Sequence, residues 1–134
     1  MARLDFVPAG LWAGIILALS TRSGAFFDAV APVRGEGSVR LAMEILVHVV
    51  QFAVFFVLVQ WSLTRRRVPA VAASGLALAA VVGLSLTNES VQAFTVTRMF
   101  DVFDIAVDVS AGTTMALATI APQLTRTSAW TADR

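Results

Sequence analysis

Three short runs of this chain hold residues able to do chemistry where polar groups are scarce. Glu44 and His48 stand four apart inside the apolar run 41–63, so a helix there presents both on one face, one turn apart. Asp101, Asp104, Asp108 and Gly112 follow a three-four-four spacing, which at about 100° per residue keeps them within a stripe roughly 80° wide. Arg98 lies one turn before that stripe, and Glu89 and Gln92, three apart, end the preceding apolar run. A His beside carboxylates gives each group a partner, and beside a substrate it forms an acid–base pair. At 1.5 Å per residue His48 lies about 10 Å into its run and Asp108 about 9 Å into its own, so the two share one level. The expectation is one connected polar cluster of Glu44, His48, Glu89, Gln92, Arg98, Asp101, Asp104 and Asp108. Within it His48, Glu89 and Asp104 are the candidate catalytic groups.

Other chemistries find less support. A single His with no Cys falls short of a zinc set, although Glu89, Asp101 and Asp104 are oxygen donors of the kind Mg²⁺ or Ca²⁺ takes. No metal is expected. Ser90 and Ser110 are the nearest hydroxyls, and no pattern makes either a nucleophile. With no phosphate-cradling glycine loop and no dinucleotide-binding string, no cofactor is expected either.

The elements that must carry these residues follow from composition. Of 134 residues 57% are apolar and only 14% charged, against about a quarter charged in an ordinary soluble domain. The mean hydropathy of +0.79 excludes disorder, coiled coil and a basic nucleic-acid-binding domain, and points to the lipid bilayer as the main partner. A spanning helix needs about 20 mostly apolar residues. Spans are expected at about 6–24, 41–63, 68–87 and 102–121, with outer loops at about 25–40 and 88–101 and a short fraying tail from Pro122. Backbone amides in hydrocarbon must be bonded internally, so the fold class is all-α, a single four-helix membrane bundle. Arg3 before a short apolar core also fits a signal peptide, but no clean small-x-small site follows, so the first helix is read as retained. Gly75, Ala79 and Gly83 form a four-spaced small-residue ridge suited, with Gly112, to close helix packing or to homo-oligomerisation.

Charge sets the expected orientation. All ten basic residues are Arg, and Arg65, Arg66 and Arg67 form a block between the second and third spans. Positive blocks stay cytoplasmic, which places both termini inside. The inside then holds Arg3, Arg65, Arg66, Arg67, Arg126 and Arg134 against Asp5 and Asp133. The outer half holds Arg22, Arg34, Arg40 and Arg98 against Asp28, Glu36, Glu44, Glu89, Asp101, Asp104 and Asp108. The pI near 9 therefore says little about an anionic partner.

The string from Asn88 through Glu89, Gln92, Phe94, Arg98, Asp101, Asp104 and Asp108 to Gly112 resembles the hallmark of the VanZ-like membrane proteins. That pattern reads roughly E-x-x-Q-x-F, an Arg, then D-x-x-x-N-x-x-x-G. The family's Asp-Lys-x-x-His-Phe segment is similar to Glu44-Ile45-x-x-His48-Val49, with Phe52 as the following aromatic. A leading helix ending in Ser20 adds to the likeness, which covers roughly 90 of the 134 residues. Three positions depart from it: Ile45 for Lys, Asp108 for Asn, and Ala116 for a second Gly. The resemblance implies a multi-pass protein of the bacterial cell membrane contributing to glycopeptide tolerance or envelope homeostasis. Its ligand would be a lipid-linked cell-wall precursor or a lipid headgroup, with Arg98 available for phosphate or carboxylate. Two further classes stay open. One is an enzyme acting on a lipid-linked envelope substrate. The other is a small proton-coupled transporter using His48, Asp104 and Asp108.

Overall fold

The computed structural model describes residues 4–21, 37–94 and 100–132, the last ten by backbone alone. Arg98 and most of the expected loop at 25–40 lie outside the described residues. Four helices make up the described fold: α1 (Val7–Ser20), α2 (Gly37–Arg65), α3 (Ala70–Ala93) and α4 (Val102–Ala132). Three of them, α2, α3 and α4, are long and apolar enough to cross a membrane. Their outer faces carry side chains as apolar as the core, among them Leu46, Val50, Val57, Leu76, Leu86 and Leu117. A surface of that kind suits lipid rather than water. The chain is a helical, multi-pass membrane protein. The 14 residues of α1 rise only about 21 Å, short of the ~30 Å hydrocarbon core.

Local sequence explains the boundaries. In α1 a proline (Pro8) stands in the first turn, where its missing N–H is not needed. The α2–α3 turn is a Schellman stop: the Arg67 N–H donates to the Thr64 carbonyl at 2.9 Å and the Val68 N–H to that of Leu63 at 3.2 Å. Arg67 there has φ 61°, a left-handed conformation usually given to glycine. Pro69 follows and caps α3, its carbonyl accepting the Ala73 N–H at 2.8 Å. Two expectations need correction. Asn88, Glu89 and Gln92 belong to α3 rather than to a loop, because that face packs into the bundle, where Glu89 accepts from Gln92 and from the Asp101 N–H. The tail from Pro122 is helical to Ala132, since a proline costs one backbone donor and the rest of the segment lacks a glycine or second proline to stop it.

Helices α2, α3 and α4 pack against one another, and among the described residues α1 lies against α2 and α3 without touching α4. The register is readable from hydrogen bonds. Contacts pair His48 with Asp108 and Gln60 with Thr119, an almost constant offset that makes α2 and α4 parallel. Gln60 Nε2 also donates to Ser74 Oγ at 2.8 Å, closing a three-helix polar layer near the Arg65–Arg67 end. A second such layer, His48–Asp108–Ser85, lies about 18 Å away along α2. Between the two layers the core is dry: Phe52, Phe56, Ala77 and Val81 are fully buried, and Ala111 and Ala116 nearly so. Gly112 sits in this zone, where an added Cβ would come within 3.0 Å of the Val81 side chain and 3.2 Å of Leu78. It lets α4 approach α3. The ridge of Gly75, Ala79 and Gly83 instead faces outward, and a Cβ at either glycine would meet nothing within 4 Å. The buried stripe of α3 is Ala73, Ala77, Val81 and Ser85, which leaves those three on its opposite side.

Docking of α1 is polar at both ends of its contact. The Trp12 indole N–H donates to the Gln51 carbonyl at 2.9 Å, and Ser62 Oγ lies 2.6 Å from the Asp5 carbonyl oxygen. Arg66 reaches Asp5 at 3.5 Å and covers the Phe6 ring at 4.7 Å, while Arg65 stacks on Trp61 at 4.2 Å.

Candidate functional site

The site is built around His48, which α2 holds at the seam with α4. Its Nδ1 lies 2.9 Å from Asp108 Oδ1 and its Nε2 3.8 Å from Asp104 Oδ2, so each ring nitrogen faces a carboxylate. The i, i+4 spacing of Asp104 and Asp108 on α4 creates that bracket. Phe52, one turn further along α2, stacks nearly parallel to the imidazole, with ring centroids 6.4 Å apart and planes at 15°, and floors the ring with apolar surface. Asp108 is fully buried and its second oxygen accepts from Ser85 Oγ at 2.7 Å. Asp104 is not, with its side chain 24% exposed against 14% for His48. The arrangement is graded, from an accessible carboxylate through an imidazole to a sealed one.

A second part of the site joins α3 to the start of α4. Glu89 is fully buried. One carboxylate oxygen accepts from Gln92 Nε2 at 3.2 Å and the other from the Asp101 backbone N–H at 2.9 Å. Asp101 caps α4, its Oδ1 accepting the Phe103 N–H at 2.8 Å. Glu89 thus fixes where α4 begins, and so where Asp104 and Asp108 point. A buried carboxylate without such donors would be costly, which is why α3 must reach as far as Gln92. Beside it, Asn88 is 1% exposed and its Oδ1 accepts no hydrogen bond.

Of the eight residues grouped from sequence, the structure joins His48 with Asp104 and Asp108, and Glu89 with Gln92 and Asp101. Glu44 pairs with Arg40 at 3.1 Å on the half-exposed face of α2, one turn from His48. Arg98 lies outside the described residues. Ser85 is not in that group, although Ser85, Glu89 and Gln92 are spaced four and three apart, the same stripe logic that marks α4.

The geometry also limits the chemistry. A serine nucleophile must donate to the imidazole, whereas Ser85 donates to the carboxylate behind it. Ser90 and Ser110 each bond the carbonyl four residues back, to Leu86 and Ala106. Among the described residues no group of three His, Asp or Glu side chains is disposed to hold a metal ion. What remains is a polar mouth able to hold a donor or cation at Asp104 and His48. No family model, curated protein or solved structure matches the chain.

Proposed function

We propose that this chain is a VanZ-like multi-pass protein of the bacterial cell membrane whose polar cluster opens outward and recognises a lipid-linked ligand of the cell envelope, contributing to glycopeptide tolerance or envelope homeostasis. The observation that carries the reading is the graded Asp104–His48–Asp108 arrangement, tied to three helices and accessible at one end. Ionisable residues in a span are expensive, and a packing role alone would not leave Asp104 at the surface. The outward direction rests on the Arg block at the opposite end of the bundle. The envelope setting rests on the resemblance of the Glu89–Gly112 string.

A transmembrane proton path has less support. Some 18 Å of α2 separates the two polar layers, and the buried side chains between them are apolar. Binding at one face needs no such path. The test is deletion of the gene, challenge with a panel of envelope-targeting antibiotics including glycopeptides, and complementation by the wild-type chain, Glu89→Ala and Asp104→Ala. Wild type restores tolerance and Asp104→Ala does not, at equal membrane levels. Normal complementation by both variants removes the cluster from the function.

A further inference from the structure

Beside the cluster a groove runs along the open seam between α2 and α4, with a volume of about 450 Å³. Ile45, Val49 and Ala53 form one wall, and Phe103, Val107 and Met115 belong to the other. Two hydroxyls also line it, Ser110 and Thr114, but each donates to a backbone carbonyl of its own helix, so the groove presents hydrocarbon. Its long side, from Phe103 to Met115, extends about 18 Å, the reach of one lipid chain along the bundle. The corresponding notch between α2 and α3 is filled by α1, which does not reach α4.

The groove and the polar mouth lie on one seam. Val107 and Ala111 stand three and seven residues after Asp104, on the same face of α4, and His48 stands three residues after Ile45 on α2. The His48–Asp104 approach of 3.8 Å therefore bridges the same seam that the groove follows. Among the described residues, charge at that end is lopsided: Glu44, Glu89, Asp101, Asp104 and Asp108 against Arg40. An apolar slot with an acidic, partly exposed upper end matches a chain with a positive head.

We infer that the α2–α4 groove holds one acyl chain of an amine-headed lipid, whose ammonium group sits at the Asp104–His48 mouth. The inference rests on the proposed envelope function and names the headgroup class it would recognise. The occupant is a bilayer lipid because the groove opens sideways on a membrane-spanning surface and its upper end lies at the level of the carboxylates.

The test uses the full chain in nanodiscs carrying chain-spin-labelled phosphatidylethanolamine, with spin-labelled phosphatidylglycerol as the anionic comparator. Wild type restrains the amine-headed probe about threefold to fivefold more than the anionic one, the worth of one partly exposed ion pair. Asp104→Asn abolishes the preference. Ala106→Phe and Ser110→Phe, at exposed positions lining the groove, abolish the restrained component while leaving helicity and melting unchanged. Equal restraint of both probes by wild type overturns the inference, as does full restraint in both Phe variants. A dimer in wild-type nanodiscs that Ser110→Phe splits would make the groove a face between two copies, and overturns it too. The two readings fail separately: if Asp104→Ala loses tolerance while both Phe variants restrain lipid normally, the cluster's function stands and the groove's role falls.

Discussion

Asp108 is the most informative single position for the physics of the site. Its carboxylate is fully buried and takes a contact from α2 and another from α3, His48 at 2.9 Å and Ser85 at 2.7 Å. In Asp108→Ala the two donors do not suffer equally. Ser85 can turn to the carbonyl four residues back, as Ser62, Thr87, Ser90 and Thr113 already do. His48 has no such retreat, because Asp104 is 3.8 Å from its other nitrogen. Hydrogen bonds between membrane helices are worth about 0.6 kcal/mol on average and about 1.7 at most, and one to a carboxylate belongs near the top. The void left by the carboxylate adds about 1 kcal/mol. Asp108→Ala should therefore cost about 2–3 kcal/mol, or roughly 10 °C in the midpoint of thermal unfolding. Asp108→Asn keeps one acceptor for His48 and offers its amide to Ser85 Oγ, so its cost stays under about 1 kcal/mol. Circular dichroism of the purified chain in detergent micelles measures both. Equal loss in the two variants, or none in either, refutes the reasoning.

Three further substitutions test the fold that holds the site. Arg67→Gly relieves a left-handed φ of 61° at the Schellman position and should raise stability by up to about 1 kcal/mol in the same melt. Gly112→Leu drives a side chain into Val81 and Leu78 and should cost about 3 kcal/mol, whereas Gly75→Ala and Gly83→Ala, facing open space, should gain about 0.5–1 kcal/mol each. Asp101→Ala removes the α4 cap at a cost of about 1 kcal/mol, read as faster amide exchange at Phe103.

Which parts of this molecule can be read from its residues depends on where polarity contrasts with its surroundings. His48, Asp104 and Asp108 stand out because each interrupts an apolar run at helical spacing, and that spacing alone fixes their common face. Glu89 and Gln92 are just as polar, but they lie at the end of a run, where composition cannot separate a last helical turn from a loop. Ser85 is too small and too common in membrane helices to signal its bond to Asp108. The Gly75–Ala79–Gly83 ridge shows the limit most clearly. From Ala70 to Leu84 helix α3 has a single polar residue, Ser74, and over that stretch its lipid face and core face are otherwise built from Ala, Val, Leu and Gly. With so little polarity there to orient it, rotation of this stretch is set by packing against α2 and α4, which bury Ala73, Ala77 and Val81 instead. The second polar layer, Gln60 with Ser74 and Thr119, depends in the same way on a register that only the assembled helices define.

The proposed envelope function requires the Asp104–His48 mouth to open on the outer side of the membrane. The chain has no cysteine, so a single introduced thiol reports its own side. Phe100→Cys, exposed just before α4, marks the mouth end, and Thr64→Cys, exposed beside the Arg block, marks the other. With a membrane-impermeant maleimide on intact cells, the account predicts labelling at position 100 at once and at position 64 only after lysis. Labelling of position 64 in intact cells, with position 100 protected until lysis, contradicts it.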